Sequence, residues 1–292
     1  MQRREFLTGL SGAALAAPLC AQAPVRRKGG IKQSLTRGVF GAGSAMSFDE
    51  QCRAAASLGV QGFDLIPFED WPTLKKYGLT PAMAPPEMAG VSVASGINQR
   101  ENHPAIEIAM RQGIDRCSAA GCPNLITLSG NRRALSDEEG ISACADLLNR
   151  VKAHAEQKGV TIALELLNSK VDHRGYQCDR TAWGVEVCRR VNSPRVKLLF
   201  DIYHMQIMEG DICHTIRENF QWIAHFHTAG VPGRHEIGAD NELNYRFVAQ
   251  TLADLHYPGY AAHEYRPVGD PLESCARPWI SLMFNGCKLG EP

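Results

Sequence analysis

The chain has 292 residues, 44% of them hydrophobic, enough to bury one large core or two small ones. Its 31 basic and 31 acidic residues cancel to a formal net charge of +0, so it lacks the basic footprint that nucleic acid or an anionic membrane surface selects. Beyond the first 25 residues no apolar run is long enough to span a bilayer.

The first segment, MQRREFLTGLSGAALAAPLCAQA, pairs Arg3 with Arg4 ahead of Phe6 and Leu7. A short apolar stretch follows and closes on Ala21-Gln22-Ala23, a small-residue cleavage pattern. This is the layout of a twin-arginine export signal. Residues 1–23 are therefore expected to be a signal peptide, 24–31 a short leader, and 32–292 a single domain placed in the periplasm. Leu19 is too bulky for Cys20 to be a usual lipidation site, so the mature form is expected to have no membrane anchor. The chain has 10 cysteines but no Cys-x-x-Cys pair and no zinc-finger spacing. Buried free thiols are the expectation, and sequence alone cannot pair any disulfides.

Eight short apolar runs then alternate with helical stretches. They cover residues 33–40, 62–67, 79–84, 124–129, 160–168, 196–204, 223–229 and 260–266. The helices between them carry start signals. Ser47 to Glu50 and Ser136 to Glu139 match the capping box, Pro104 and Pro271 suit a first turn, and Asp179 and Asp211 suit N-caps. Gly59 and Gly159 stand where helices stop before a strand. Strand and helix in repeated alternation imply parallel pairing with right-handed crossovers. Eight repeats in this length predict an α/β fold, a single-domain (β/α)8 TIM barrel. The rival, an open doubly wound sheet, lacks a Gly-x-Gly-x-x-Gly after a strand.

Chemistry in such a barrel sits at the C-terminal ends of the strands. TIALELLNS offers Glu165, VKLLFDIYH offers Asp201, IAHFHTAG offers His225 and His227, and YAAHEYRP offers Glu264. Adjacent strands lie about 4.8 Å apart, so these groups converge. Three carboxylates in one small volume need a counterion, because like charges drive one another toward the protonated form. One divalent metal ion meets that need. A carboxylate-rich set suits Mn²⁺ or Mg²⁺, and the imidazole admits Zn²⁺, Co²⁺ or Fe²⁺. His227, nearer the strand end, is the expected ligand, with His225 one layer deeper in a supporting role.

These segments together, LELLNSKVDHRGYQCDRT, LLFDIYHMQIMEGD, HFHTAGVPGRHEIG with LNY, and HEYRP, resemble the hydroxypyruvate isomerase-like family of xylose isomerase-like barrels. Earlier segments agree: EDWPTLKKYGLT, GINQRENHP and NLITLSGNR. The resemblance implies Glu165, Asp201, His227 and Glu264 as metal ligands, with Glu165 and Glu264 also transferring protons. It implies an aldose–ketose type isomerase that converts hydroxypyruvate to tartronate semialdehyde through an enediolate. Two departures stand out. Many relatives have Gln at the position of His227, where sugar epimerases have His. Relatives often have Asp at the position of Gly230.

The substrate expected is a small hydroxy-carbonyl compound. His204 is placed to bind one of its oxygens and Arg234 to pair with a carboxylate or hydroxyls. Asn98, His103 and Arg132, in the loops after the third and fourth strands, are weaker substrate-binding candidates. Three other readings compete: a ketose 3-epimerase or related sugar-acid isomerase, a DNA-repair nuclease on the same barrel, and an exported sugar-acid binding protein without turnover. The neutral charge balance speaks against the nuclease. A homo-oligomer is left open.

Overall fold

The computed structural model describes residues 31–276. The expected signal peptide, and the leader apart from Ile31, lie outside them. So does the chain beyond residue 276.

All eight expected strands form: β1 (Lys32–Leu35), β2 (Gly62–Asp64), β3 (Thr80–Met83), β4 (Asn124–Thr127), β5 (Thr161–Glu165), β6 (Val196–Asp201), β7 (Ile223–Thr228) and β8 (Tyr260–His263). They pair in parallel in the order β3-β2-β1-β8-β7-β6-β5-β4. A parallel bridge between Ala84 and Leu125 joins the two outer strands and closes the ring. The chain is thus a (β/α)8 barrel, as its alternating pattern predicts.

The helices are α1 (Phe48–Ser57), α2 (Trp71–Lys76), α3 (His103–Ala120), α4 (Asp137–Lys158), α5 (Thr181–Val191), α6 (Ile202–Met208), α7 (Ile212–Asn219), α8 (Tyr245–Asp254) and α9 (Pro271–Ala276). Their apolar faces meet the outward side chains of the strands. Ile114, Leu125, Leu148, Val187 and Leu198 belong to this one continuous core and are fully buried. Inside the barrel, Met83, Ile126, Ala163 and Leu199 form a separate apolar floor. Above that floor the interior turns polar, and the site begins there.

Both capping boxes close as expected. Ser47 accepts from the Glu50 amide and Ser136 from the Glu139 amide, and each glutamate returns the bond. Replacing Ser136 with Ala strips the 22-residue α4 of its N-cap acceptor. The expected loss is about 1 kcal/mol, read as a fall in thermal midpoint of about 2–4 °C. Gly159 ends α4 with a left-handed φ of 70°, where a side chain would be strained.

Two helix starts differ from expectation. Asp179 does not cap α5; Arg180 holds the N-cap position, and Asp179 instead accepts a bond from Ser169. The first amide and hydroxyl of α5, on Thr181, are taken up by the Glu209 carboxylate from the β6 side. Asp211 does stand at the N-cap of α7, but in a left-handed conformation with no side-chain cap bond. The third difference is at the site. The apolar run read as strand through His204 ends as strand at Asp201, and α6 starts at Ile202. Asp201 causes the change, since its Oδ1 accepts from the His204 amide and caps the new helix.

Candidate active site

Four side chains converge at the C-terminal mouth of the barrel. Glu165 closes β5, Asp201 closes β6, His227 lies near the end of β7, and Glu264 directly follows β8. One donor atom from each lies within 4.8 Å of the others. His227 Nδ1 is 3.0 Å from Glu264 Oε2, 3.4 Å from Glu165 Oε1 and 4.0 Å from Asp201 Oδ2.

Register accounts for the convergence. Asp201 pairs level with His227, whereas Glu165 pairs level with Leu199, two residues lower on β6. Between Leu198 and Leu199 the β6–β7 register shifts by one residue. Leu198 faces Ile223 and Leu199 faces His225, so β7 carries one extra residue, Ala224. Without that bulge, Asp201 would stand level with Phe226. Bulges of this kind re-aim side chains at barrel rims and active sites.

The electrostatics are unresolved among the side chains alone. Burial pushes the Asp201 carboxyl up to about 7; Arg234 and His227 oppose this, and Glu264 and Glu165 add to it. Burial also disfavours charge on Glu264, but Arg234 and His227 outweigh it and hold that carboxyl at about 2. Burial likewise opposes a charged His227, yet Glu264, Asp64 and Glu165 hold its imidazole well above the ordinary range. A proton on Nδ1 is what makes the short contacts to carboxylates favourable, since a bare lone pair there would face negative oxygens. The same lone pair, and the same three oxygens, would suit a divalent cation. Three carboxylates and one imidazole form an oxygen-rich donor set of the kind that hard or borderline divalent metals take. The residues present therefore fit the metal that the sequence implied.

Arg234 and His204 frame this centre. The Val231–Arg234 turn places Gly233 at φ 90° and Arg234 at φ 57°. In that left-handed conformation Arg234 donates from Nη2 to Glu264 Oε2 at 2.7 Å, with Asp201 Oδ2 at 3.9 Å. Its guanidinium also lies 5.2 Å from the Tyr203 ring centroid, a contact that adds up to about 2 kcal/mol where water is excluded. His204 is fully buried. Its Nδ1 accepts from the Asn168 amide at 3.1 Å, which fixes the proton on Nε2. Burial, reinforced by Arg234, holds this imidazole well below its usual range, so it is neutral. Its Nε2 lies 3.6 Å from Asp201 Oδ2 and has no hydrogen-bond partner among the described residues. A buried donor left open at the mouth of a barrel is a place for a ligand oxygen.

The remaining candidates are not brought to this centre. Asn98 is buried, and its Nδ2 donates to the Asn131 carbonyl and to Gln177 Oε1. His103 is buried at the start of α3, with Nε2 at 2.9 Å from the Ile97 carbonyl. Arg132 pairs with Asp137 at the exposed start of α4. The first two are thus tied into loop hydrogen bonds and the third into an exposed ion pair.

Two residues not singled out from sequence belong to the site. Asp64, at the end of β2, lies 2.6 Å from His225 Nε2 and 3.2 Å from His227 Nε2, and all three are fully buried. Its signal is the same strand-end position that marks the others, in the first half of the barrel. His173, in the loop after β5, is half-buried with its ring centroid 5.2 Å from that of His204. The glycine at position 230 also has a structural reason. A Cβ there would meet the His235 carbonyl at 2.9 Å and Asn241 Nδ2 at 3.0 Å, so any side chain would force these neighbours to shift.

Among the described residues no helix is long and apolar enough to cross a membrane. All eight described cysteines are free, and seven of them are buried.

Comparison with known proteins agrees with this architecture. The profile of the family described as xylose isomerase-like TIM barrel matches residues 52–279. A Mus musculus protein provisionally named a hydroxypyruvate isomerase is 30% identical over 198 residues, covering 65% of this chain and 70% of that one. A 2-oxo-tetronate isomerase of Cupriavidus necator is 38% identical over 113 residues, covering 39% of this chain and 43% of its own. A crystal structure titled as an AP endonuclease, family 2, from Brucella melitensis superposes with a TM-score of 0.72 at 24% identity, covering 84% of this chain and 97% of that one. At that identity the likeness speaks for the fold alone. Together with the converging carboxylates and the matched motifs, these findings identify the chain as an isomerase of the hydroxypyruvate isomerase-like group within the xylose isomerase-like TIM barrel family.

Proposed function

We propose that the protein is a metal-dependent isomerase of a short hydroxy-carbonyl acid, with hydroxypyruvate or a 2-oxo-tetronate as substrate. The observation that carries this reading is the cluster of Glu165, Asp201, His227 and Glu264 within 4.8 Å, flanked by the Arg234 guanidinium and the open His204 Nε2–H. Relatives named for both substrates lie in the same family.

Glu165, Asp201, His227 and Glu264 would hold one divalent ion, with Mn²⁺ or Mg²⁺ best suited to the oxygen-rich set. When bound, such an ion supplies positive charge that stabilises a developing enediolate. The chain's own residues supply the rest. Glu165 and Glu264 project from β5 and from the end of β8, with β6 and β7 between them, so they can flank a substrate. One removes the proton from the carbon that carries the hydroxyl, the other returns a proton at the former carbonyl carbon, and the hydroxyl proton passes to the former carbonyl oxygen. His204, neutral with Nε2–H directed inward, donates to a substrate oxygen. Arg234 would pair with the substrate carboxylate, and the Tyr203 face keeps the guanidinium in place. The twin-arginine leader supports an exported, periplasmic setting for this enzyme.

The test is proton exchange. Mn²⁺-loaded protein in deuterated buffer is expected to place deuterium into hydroxypyruvate or 2-oxo-tetronate, followed by mass spectrometry, and to leave a neutral ketohexose unlabelled. Label in the ketohexose would favour the second reading, a ketose 3-epimerase, which His227 supports because sugar epimerases of the superfamily carry His at that position. Silence on every hydroxy-carbonyl compound, with tight binding of one of them, would instead mark a binding protein.

A further inference from the structure

Asp64 sits on β2 and His227 on β7, and β1 and β8 lie between these strands. Their contact therefore crosses the barrel interior and spans 163 residues of sequence. A carboxylate with no exposure is costly unless it is hydrogen-bonded and charge-compensated. Here one oxygen, Oδ2, meets both His225 Nε2 at 2.6 Å and His227 Nε2 at 3.2 Å. The other oxygen, Oδ1, and His225 Nδ1 have no hydrogen-bond partner among the described residues. Every polar contact of Asp64 in this layer is thus spent on the two imidazoles, and none on the substrate side.

An imidazole has two nitrogens, and whichever one donates to a fixed acceptor determines what the other can do. Asp64 Oδ2 takes the Nε2–H of His227. That bond directs Nδ1 toward Glu264, Glu165 and Asp201. Rotating the ring about its Cβ–Cγ bond, or moving the remaining proton to Nδ1, would break the bond and leave Asp64 half-satisfied in the core. His225 is fully buried below His227 and pins the same oxygen from the other side. Its short bond stops Asp64 from following the ring.

We propose that Asp64 is a positioning residue for the metal centre. It fixes His227 so that Nδ1 is the coordinating atom, and His225 serves as the brace that holds Asp64 in place. The proposal rests on the metal-centre reading above. It adds a residue from the opposite wall of the barrel that touches neither metal nor substrate. Ligating histidines commonly donate their second ring N–H to a carboxylate, and removing such a partner typically costs 10- to 100-fold in metal affinity.

Mn²⁺ binding to the metal-stripped full chain tests this, with wild type and Asp64→Asn compared by calorimetry. The expected result is a single site in wild type and a dissociation constant raised roughly 10- to 100-fold in the folded variant. Raising Mn²⁺ should restore most of the variant's kcat, which a generally loosened core would not allow. Wild type that binds Mn²⁺ beside a folded Asp64→Asn that binds within about twofold of it would overturn the proposal and leave the metal reading intact. Wild type that binds none would sink both. Two sites in wild type, one of them lost in Asp64→Asn, would overturn it by making Asp64 a ligand. Nitrogen-15 NMR of histidine-labelled, Zn²⁺-loaded wild type decides the matter without any variant. His227 should keep its proton on Nε2 and coordinate through Nδ1, and the reverse assignment would overturn the proposal.

Discussion

Glu165→Gln is expected to lower kcat for isomerisation by about 10²- to 10⁴-fold, the span that a positioned acid–base group contributes. The substitution changes little else. Glutamine keeps the shape of the side chain and one carbonyl oxygen for the contact with His227 Nδ1, now 3.4 Å from Glu165 Oε1. It cannot accept and return a proton. A ligand role alone would appear chiefly as weaker metal binding, recoverable by adding metal. A proton-transfer role would persist at saturating Mn²⁺ and would abolish deuterium uptake in single-turnover experiments. Exchange that continues within tenfold of wild type under those conditions would reduce Glu165 to a ligand and move the proton chemistry elsewhere. Glu264→Gln is a less clean comparison, because it also releases Arg234 from its 2.7 Å ion pair.

Stripping the metal with a chelator is expected to abolish turnover and to lower the thermal midpoint, with both restored by Mn²⁺. The physical cause is the crowding at the mouth. Burial and two neighbouring glutamates push Asp201 up to about 7, although Arg234 and His227 work against it. A divalent cation replaces this partial compensation with a matched one. A ligand present at 100 times its dissociation constant adds about 2.7 kcal/mol to the folded state. For a chain of this size that corresponds to roughly 5–10 °C in midpoint. Differential scanning fluorimetry of stripped and Mn²⁺-reloaded protein reads it directly. An unchanged midpoint together with full activity in chelator would rule out a resident metal.

The eight strands were legible because each is a short apolar run between turn and cap signals, and a closed ring of parallel strands is what that repetition demands. The four converging side chains were legible for a related reason. A polar residue that ends a buried strand has to go somewhere, and in a barrel four successive ends go to the same place. Asp64 follows the same rule, but β2 looks remote from β7 until the barrel closes. Local chemistry misled in other places. Asp201 caps α6 with one oxygen while it faces the mouth with the other, so an apolar run that reads as strand turns to helix after it. Asn98, His103 and Arg132 take their partners from Asn131 and Gln177, from Ile97, and from Asp137. A loop's side chains are directed by whichever backbone or neighbour the fold presents, and residue type alone does not reveal it. Arg234 was found by its motif, but the positive φ that turns it onto Glu264 has no signal in an arginine.

The extra residue on β7 has a wider meaning for how such a centre can change. Because Ala224 bulges out of the ladder, two histidines two residues apart both look inward; were Ala224 drawn into regular pairing, phenylalanine would take the level of Asp201. The spacing of this strand is therefore as much a part of the reactive machinery as the identity of its side chains. Substitutions can retune the centre gradually, but a change that forced Ala224 into the regular ladder would dismantle it in one step, with every side chain still present and the imidazoles turned to the wrong side of the wall.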